Sequence, residues 1–312
     1  MMRILAGDIG GTNLRLGEFT VGTEEFPVLS KLVNLPTAGI RSSEDLLELI
    51  ESCAELSWPN YDFVALAVAG PIIGGKYCKL TNADCVIDLE KFPRSARVEL
   101  INDFVAQAYG SVNAQETIEI QAGRAAESGT AAVIGAGTGL GKAFVISDTN
   151  GIRRAFPCEG GHVNFVSETK EEFELQEFVR QKLNAPYVVM EHLVSGSGLS
   201  LIHEFVTGKQ LTPTEVALHL DGKSETFHIA TKLYAVAARN FALDVLATGG
   251  LYISGGLAAK NPLLVNNPLF IETFCRSSAY HSVLAMMPVK LISHDDIGLV
   301  GAAHYARQIA SR

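Results

Sequence analysis

Residues 3–19 read RILAGDIGGTNLRLGEF, in which apolar residues alternate on both sides of the glycine pair Gly10-Gly11. This alternation is typical of a β-hairpin with a glycine turn. The same design returns at residues 131–146, AAVIGAGTGLGKAFVI, where apolar runs flank a glycine-rich turn. A third segment, GGLYISGGL at 249–257, holds a short strand between two glycine pairs. The recurrence predicts a chain whose two halves each open on such a hairpin.

The length of the chain favours two lobes. A chain of 312 residues exceeds what one hydrophobic core usually organises, so we expect a ligand cleft between two lobes. Strands at 63–69 and 96–101, with helical patterns in both halves, indicate α/β layering. We predict a small α/β lobe of residues 1–104 plus 299–312 and a large α/β lobe of residues 105–298. The last segment is expected to be a helix that packs back on the first lobe.

Charge and cysteine usage exclude several classes of protein. A net charge of -9 at pH 7, with no block of Lys or Arg, argues against nucleic acid and anionic membranes as partners. Asp8 interrupts the apolar N-terminal stretch, and the most apolar helical stretch contains Arg239 and Asp244, so we expect neither signal peptide nor membrane span. Five cysteines without a CxxC pair favour reduced thiols and a cytoplasmic protein.

The glycine string GAGTGLGK at 135–142 invites two common interpretations, and both fail. A Rossmann fingerprint needs a glycine where Leu140 stands, followed by a helix rather than a strand. A Walker A loop needs a glycine at Ala136 and a hydroxyl residue at Ala143. Two interpretations remain open for this string. It is either a tight turn that uses glycine for its conformation, or a turn whose backbone N–H groups bind an anion such as phosphate.

Two glycine hairpins, with Ser254-Gly255-Gly256 later in the chain, favour phosphate binding. They fit the two-lobed actin/hexokinase-like (ribonuclease H-like) fold, in which mixed sheets carry flanking helices and two phosphate loops face each other across the cleft. Asp8 precedes the first glycine pair, where a carboxylate can hold Mg²⁺ or its waters, and Thr12 can donate to a phosphate oxygen. The alternative for Asp8 is an Asx-type turn.

A candidate base follows the strand at 96–101. Phosphoryl transfer to an alcohol needs the hydroxyl aligned and its proton accepted, usually by a carboxylate. Asp103 stands between the end of this strand and a predicted helix, where α/β folds bind ligands. The alternative role for Asp103 is the N-cap of that helix. Asn102 and Asp103 can also divide the two roles between them.

The segment Glu159-Gly160-Gly161-His162 puts two polar side chains around a flexible glycine pair, a spacing suited to adjacent hydroxyls of a sugar ring. The alternative is a loop with an exposed Glu and a structurally satisfied His. Zinc is a weaker alternative, because Cys158 has no second cysteine nearby and no ligand follows His162 at the right spacing. Glu191, taken alone, is typical of a surface residue.

Together these residues resemble the bacterial glucokinases that lack the zinc-binding cysteine motif. The resemblance runs in order through nearly the whole chain, on residues 8–13, 69–72, 80–82, 102–108, 135–141, 159–162, 195–196 and 249–256. Three positions depart from it, because Cys85, His192 and Ser197 stand where relatives often carry Trp, Arg and Pro. None of the three is the proposed base, so the departures bear on fine specificity rather than on the reaction.

The resemblance implies an enzyme that transfers the ATP γ-phosphate to the 6-hydroxyl of glucose, with Mg²⁺, in the cytoplasm and often as a homodimer. The implied sugar ligands are Asn102, Asp103, Glu159, His162 and Glu191, with Asp103 as the base. The residues implied to face the phosphates and Mg²⁺ are Asp8, which would bind the metal, and Gly10, Gly11, Thr12, Gly137 and Thr138. Gly255 and Gly256 would lie near the nucleotide.

Two other functions stay open. One is a kinase of the same fold for mannose, fructose or an N-acetylated hexosamine. The zinc-bearing repressor/kinase family would show several cysteines after the Gly-His, and residues 163–178 contain none. The other is a sugar-sensing regulator that has lost phosphoryl transfer. Such a regulator predicts a DNA-binding module or a missing base, whereas this chain shows no basic helix-turn-helix segment and keeps Asp103.

Overall fold

The computed structural model describes residues 1–10, 13–22, 26–53, 56, 60–81, 84–92, 97–148 and 151–310. The chain divides into two compact units, one of Met1–Ala114 with Asp296–Arg312 and the other of Gln115–Asp295.

The described residues of the first unit form two sheets and three α-helices. Its strands are β1 (Met2–Ile9), β2 (Asn13–Val21), β3 (Val28–Pro36), β4 (Phe63–Val68), β5 (Ile72–Ile73), β6 (Tyr77–Lys79), β7 (Val86–Asp88) and β8 (Arg97–Asn102). Its helices are α1 (Ser43–Ser52), α2 (Asp103–Asn113) and the C-terminal α10 (Ile297–Ala310). The larger sheet has the strand order β3-β2-β1-β4-β8, and the smaller has the order β5-β6-β7.

The predicted hairpin at residues 3–19 is confirmed. β1 and β2 pair antiparallel across the glycine turn, with Ile9 opposite Leu14. β4 and β8 then run parallel to β1. Because parallel strands end at the same edge, the carboxyl ends of β1, β4 and β8 lie together.

Helix α2 belongs to the first unit, whereas the sequence predicts that the large lobe begins at residue 105, within this helix. The reason is its packing on α10. A Cβ added at Gly301 would fall on the carbonyl oxygen of Ala106, and one added at Gly110 would fall on that of Ile297. Glycine at these positions lets the two helix backbones approach closely, so α2 and the predicted terminal helix stay in one unit.

The second unit is built on one mixed sheet of six strands in the order β12-β11-β10-β13-β14-β9. The strands are β9 (Ile118–Gln121), β10 (Ala131–Ala136), β11 (Leu140–Ser147), β12 (Arg153–Cys158), β13 (Gly250–Ser254) and β14 (Val289–Leu291). The helices are α3 (Lys170–Lys182), α4 (Gly196–Thr207), α5 (Pro213–Ala217), α6 (Glu225–Asp244), α7 (Gly256–Lys260), α8 (Pro268–Cys275) and α9 (His281–Met286).

The second predicted hairpin is also confirmed, since β10 and β11 pair antiparallel around the glycine string. β13 lies parallel to β10 and pairs Ser254 with Gly135, which brings the third glycine segment to the turn of the second hairpin. α6 covers one face of this sheet with buried apolar residues, and its Tyr234 hydroxyl lies 3.3 Å from the Ala136 nitrogen.

Each unit has its own hydrophobic core. None of the helices in the described part of the chain has the length and apolarity that a membrane crossing requires. All five cysteines lie among the described residues, and all five are free thiols.

Candidate active site

Asp8 and Asn102-Asp103 share one edge of the first sheet. Ile9 at the end of β1 pairs with Val68 of β4, and Val68 pairs with Asn102 of β8. Open α/β sheets bind ligands at this carboxyl edge. The strand register alone therefore places the predicted metal ligand and the predicted base on the same side of the first unit.

Asn102, and not Asp103, is the N-cap of α2. The side-chain oxygen of Asn102 accepts hydrogen bonds from the backbone nitrogens of Phe104 at 3.0 Å and Val105 at 3.1 Å. Asp103 is the first helical residue, and its Oδ1 accepts from the Phe104 nitrogen at 2.8 Å. The cap is thus provided by Asn102, which leaves the carboxylate of Asp103 at a helix N-terminus that stabilises its negative charge.

Asp8 is half-buried, and the guanidinium of Arg15 lies near it. Burial raises the pKa of its carboxyl group, and the charge of Arg15 lowers it. The Arg15 guanidinium lies 4.0 Å from Asp8 Oδ2, opposite it in the hairpin register. A single carboxylate is what Mg²⁺ commonly takes from a protein when phosphates and water complete its shell. The donor set at Asp8 therefore fits a metal ion that arrives with a nucleotide.

The turn of the first hairpin is described only in part. The backbone nitrogen of Gly10 donates to the Asn13 carbonyl at 3.0 Å, which closes the turn. The Thr37 hydroxyl donates to the Gly10 carbonyl at 2.9 Å and ties the turn to the strand end of β3. The predicted phosphate-facing residues Gly11 and Thr12 lie outside the described residues.

The turn of the second hairpin is fixed by backbone hydrogen bonds. Gly137 donates to the Gly139 carbonyl at 2.8 Å, and Gly196 at the start of α4 donates to the Gly137 carbonyl at 2.8 Å. The Gly137 nitrogen therefore serves the turn itself. Thr138 is exposed at the tip, where its groups face solvent.

Gly255 and Gly256 start the segment that leads from β13 into α7. Gly255 has a φ of +86°, and a Cβ there would lie 2.6 Å from the Ala136 carbonyl oxygen. A side chain at Gly255 is therefore excluded both by backbone conformation and by the strand that carries the second glycine turn.

Glu191 is not an isolated surface residue. It lies in a short 3-10 turn, Met190–His192, and its Oε2 accepts a hydrogen bond from the Leu140 nitrogen at 2.8 Å. A Cβ added at Gly139 would collide with the same carboxylate oxygen. Glu191 is thus anchored at the base of the second glycine turn.

The Glu159–His162 segment forms another 3-10 turn, Gly160–His162, with its two polar side chains outside. The side chains of Glu159 and His162 are 85% and 61% exposed, and Glu159 Oε2 lies 4.0 Å from His162 Nε2. Gly160 and Gly161 are buried. A Cβ at Gly161 would strike the Leu140 carbonyl oxygen, and one at Gly160 would lie 2.7 Å from Lys142 Cδ. From the sequence we expect this glycine pair to be flexible. In the structure, the lack of side chains at Gly160 and Gly161 allows the turn to pack closely on β11.

The two 3-10 turns are neighbours. Met190 donates to the Val163 carbonyl at 3.0 Å, so the chain after His162 pairs with the chain before Glu191. Burial lowers the pKa of His192; Glu191 raises it and His162 lowers it further. The second unit therefore brings together Glu159, His162 and Glu191 around Leu140. Among the described residues, no group of three or more His, Cys, Asp or Glu is arranged to hold a metal ion.

Two residues near these sites were not singled out from the sequence. Arg15 faces Asp8 across the first hairpin, a contact that counting the register outward from the glycine turn would have found. Lys142 is buried beneath the Glu159–His162 turn, and a charged residue in an otherwise apolar strand was the available signal.

Comparison with known proteins gives one consistent result. The family model described as glucokinase matches residues 5–309. A glucokinase from a Nostoc species is 31% identical over 99% of this chain and 100% of its own. One from a Synechocystis species is 30% identical over 98% of both chains. The crystal structure of a glucokinase from an Antarctic psychrotroph, 27% identical, superposes with a TM-score of 0.83 and covers 98% of this chain and 99% of its own.

The fold is the mixed α/β fold of the actin-like hexokinases. A glucokinase from Balamuthia mandrillaris, solved with glucose, shares this fold at 20% identity with a TM-score of 0.81 and covers 98% of this chain and 94% of its own. The chain belongs to the glucokinase family.

Proposed function

We propose that this chain transfers the γ-phosphate of ATP to the 6-hydroxyl of glucose, giving glucose 6-phosphate and ADP. Membership of the glucokinase family supports this activity. The observation that carries it is the position of Asp103. This carboxylate stands at the carboxyl edge of the first sheet, and the neighbouring Asn102 caps α2 in its place.

Asp103 is proposed to accept the proton of the 6-hydroxyl as the oxygen attacks phosphorus. A carboxylate in this role contributes about 10² to 10⁴ in rate. The capping bonds of Asn102 use its side-chain oxygen, so its amide nitrogen is the atom with which it would donate to a sugar hydroxyl.

The further sugar ligands are proposed to be Glu159, His162 and Glu191. Carboxylate oxygens accept hydrogen bonds from sugar hydroxyls, and an imidazole can donate or accept. The 4.0 Å separation of Glu159 Oε2 and His162 Nε2 suits two neighbouring hydroxyls, and the exposure of both side chains leaves them accessible. Glu191 is held by the Leu140 nitrogen through one oxygen, so its other oxygen remains to accept from the sugar.

The phosphates and Mg²⁺ are proposed to be bound by the glycine turns and Asp8. Gly10, Gly11, Thr12, Gly137 and Thr138 are the proposed phosphate neighbours, and Gly255 and Gly256 the nucleotide neighbours. When bound with ATP, Mg²⁺ supplies positive charge to the transferring phosphoryl group. Asp8 is suited to hold it, because burial raises the pKa of its carboxyl group more than the charge of Arg15 lowers it, and a metal ion would offset that rise.

A coupled assay over a panel of hexoses and phosphoryl donors tests the proposal. We expect glucose with ATP and Mg²⁺ to give the largest kcat/KM. Mannose, fructose and N-acetylated hexosamines are the alternative acceptors, and ADP and polyphosphate are the alternative donors. A larger kcat/KM for another hexose would contradict the glucose assignment while keeping the kinase. No transfer to any hexose would contradict the kinase.

We also propose that the protein is a cytoplasmic homodimer. Five free thiols suit a reducing compartment. Sedimentation equilibrium of the purified protein tests the assembly, and a monomer mass over the whole concentration range would contradict it.

A further inference from the structure

Lys142 is a buried cation inside the sheet of the second unit. Only 5% of its surface is exposed, and it lies on β11 two residues after Leu140. Its Nζ sits 5.3 Å from the ring centroid of Phe241 on α6. Burial lowers the pKa of this amine. Moving an ammonium group out of water costs free energy. An apolar side chain would fill the same space without that cost, so the charge of Lys142 calls for a role of its own.

The lysine stem forms the surface on which Gly160 rests. Lys142 pairs with Cys158 in the register of β11 and β12, directly before the Glu159–His162 turn. A Cβ at Gly160 would lie 2.7 Å from Lys142 Cδ, 3.1 Å from Cys158 Sγ and 3.3 Å from Lys142 Nζ. The side chain is thus held at one end by β11 and at the other by the Phe241 ring, with Gly160 packed across it.

We propose that Lys142 is a positioning residue for hexose binding. Its ammonium, fixed over Phe241, holds its aliphatic stem beneath Gly160 and so sets the spacing of the Glu159 and His162 side chains. This inference rests on the proposed function, in which these two side chains bind the sugar. It assigns Lys142 to sugar affinity and not to phosphoryl transfer, because neither Asp103 nor Asp8 lies in the same unit.

The test is a set of three substitutions at one position, with KM for glucose, KM for ATP and kcat measured for each. Lys142→Met keeps the length of the side chain and removes its charge. We expect it to raise the glucose KM about tenfold, because a stem no longer held over the ring lets the Glu159–His162 turn shift, with the ATP KM and kcat within about twofold of wild type. Lys142→Arg keeps the cation over the ring and is expected to restore most of the glucose affinity. Lys142→Ala removes both stem and charge and is expected to raise the glucose KM furthest.

Lys290→Met is the matched control. Lys290 lies on β14 of the same sheet with its Nζ 5.9 Å from the Tyr252 ring centroid, and it makes no part of the Glu159–His162 turn. We expect this variant to leave all three kinetic constants unchanged.

A double substitution tests the packing step separately. Gly160→Ala places a methyl group against Lys142 Cδ and is expected to raise the glucose KM. Adding Lys142→Ala removes the obstructing stem, so the double variant should lose less than the sum of the two single variants in ln KM.

An unchanged glucose KM in Lys142→Met, an equal loss in the glucose and ATP constants, or strict additivity in the double variant would overturn the proposal. If Lys142→Met does not fold, as judged by circular dichroism, the Arg variant and the double variant decide it. Isothermal titration of wild type and of the Lys142 variants with each hexose of the panel separates the two failures. If wild type binds no hexose, the proposed function fails; if it binds and the Lys142 variants bind equally well, only the positioning role fails.

Discussion

The carboxylate of Glu191 accepts a hydrogen bond from the backbone nitrogen of Leu140, with 2.8 Å between the two atoms. This bond ties the Met190–His192 turn to the first residue after the second glycine turn. The carbonyl of the same Leu140 lies against Gly161. One residue of β11, Leu140, therefore supports both of the short turns that carry the proposed sugar ligands of the second unit.

Gly139→Ala should disturb this arrangement. A Cβ at Gly139 has no room beside the Glu191 carboxylate, so Glu191 must move or the turn must open. We expect a loss of about 1 to 3 kcal/mol in unfolding free energy, as for other overpacked sites, and a higher glucose KM. Urea unfolding and steady-state kinetics measure the two effects. Gly22→Ala is the control, because a Cβ at Gly22 meets no atom of the described residues within 4 Å. Equal stability of the two variants would show that Glu191 does not pack on Gly139.

Asp8→Asn should make the protein more stable at neutral pH while abolishing activity. The pKa of Asp8 is raised above its ordinary value of 3.8, so the folded chain holds this proton more tightly than the unfolded chain. The stabilisation from that proton is complete below the ordinary pKa and is lost as the pH rises through the raised, folded-state pKa. The amide of Asn does not ionise, so Asp8→Asn does not lose stability as the pH rises. The gain in melting temperature over wild type should therefore appear on going from acid to neutral pH.

Asp45→Asn is a control for which we expect the opposite change in melting temperature, because the pKa of Asp45 is lowered whereas that of Asp8 is raised. A hydrogen bond from the Arg41 backbone nitrogen is the main cause that holds the pKa of Asp45 below its ordinary value, and this residue completes the capping box of α1. Its contribution to stability is present above the ordinary pKa and is lost as the pH falls through the lowered one. Asp45→Asn should therefore lower the melting temperature at neutral pH. A lower melting temperature for Asp8→Asn as well would contradict the account of Asp8.

Asn102→Ala should reduce both stability and sugar affinity. Loss of an N-cap side chain costs about 1 kcal/mol of unfolding free energy. The matched control is Asn267→Ala, because Asn267 caps α8 through a hydrogen bond from the Phe270 nitrogen at 3.0 Å and has no proposed role in catalysis. Denaturant unfolding should show similar losses for the two variants. Only Asn102→Ala should also raise the glucose KM, and an unchanged glucose KM would remove Asn102 from the sugar ligands.

Local patterns predicted much of this architecture. Alternation around glycine pairs gave both hairpins, and a strand followed by Asn102-Asp103 and a helical pattern gave the edge on which the proposed base stands. The hydrogen bonds of these hairpins and of the α2 cap join residues close in sequence, so a local pattern is enough to predict them. Whether Asn102 or Asp103 caps α2 was left open by the sequence, and the structure shows that Asn102 is the cap.

Contacts between distant segments could not be predicted in this way. Leu140 and Glu191 are 51 positions apart, and no local sequence pattern predicts the hydrogen bond between them. The glycine pair at 160–161 was interpreted as flexible because its partners on β11 are set by strand register, which a single loop sequence does not specify. The burial of Lys142 could not be predicted either, because it also depends on the register of β11 and β12.

The most direct test of the proposed function is Asp103→Asn, measured by turnover with glucose and ATP and by calorimetric titration of glucose. Asn102 continues to cap α2 in this variant, so the fold and the sugar affinity should persist. With the proton acceptor removed, we expect kcat to fall by about 10² to 10⁴ while the glucose Kd stays within about threefold of wild type. Near-normal turnover in a variant that still binds glucose would contradict the assignment of Asp103 as the base.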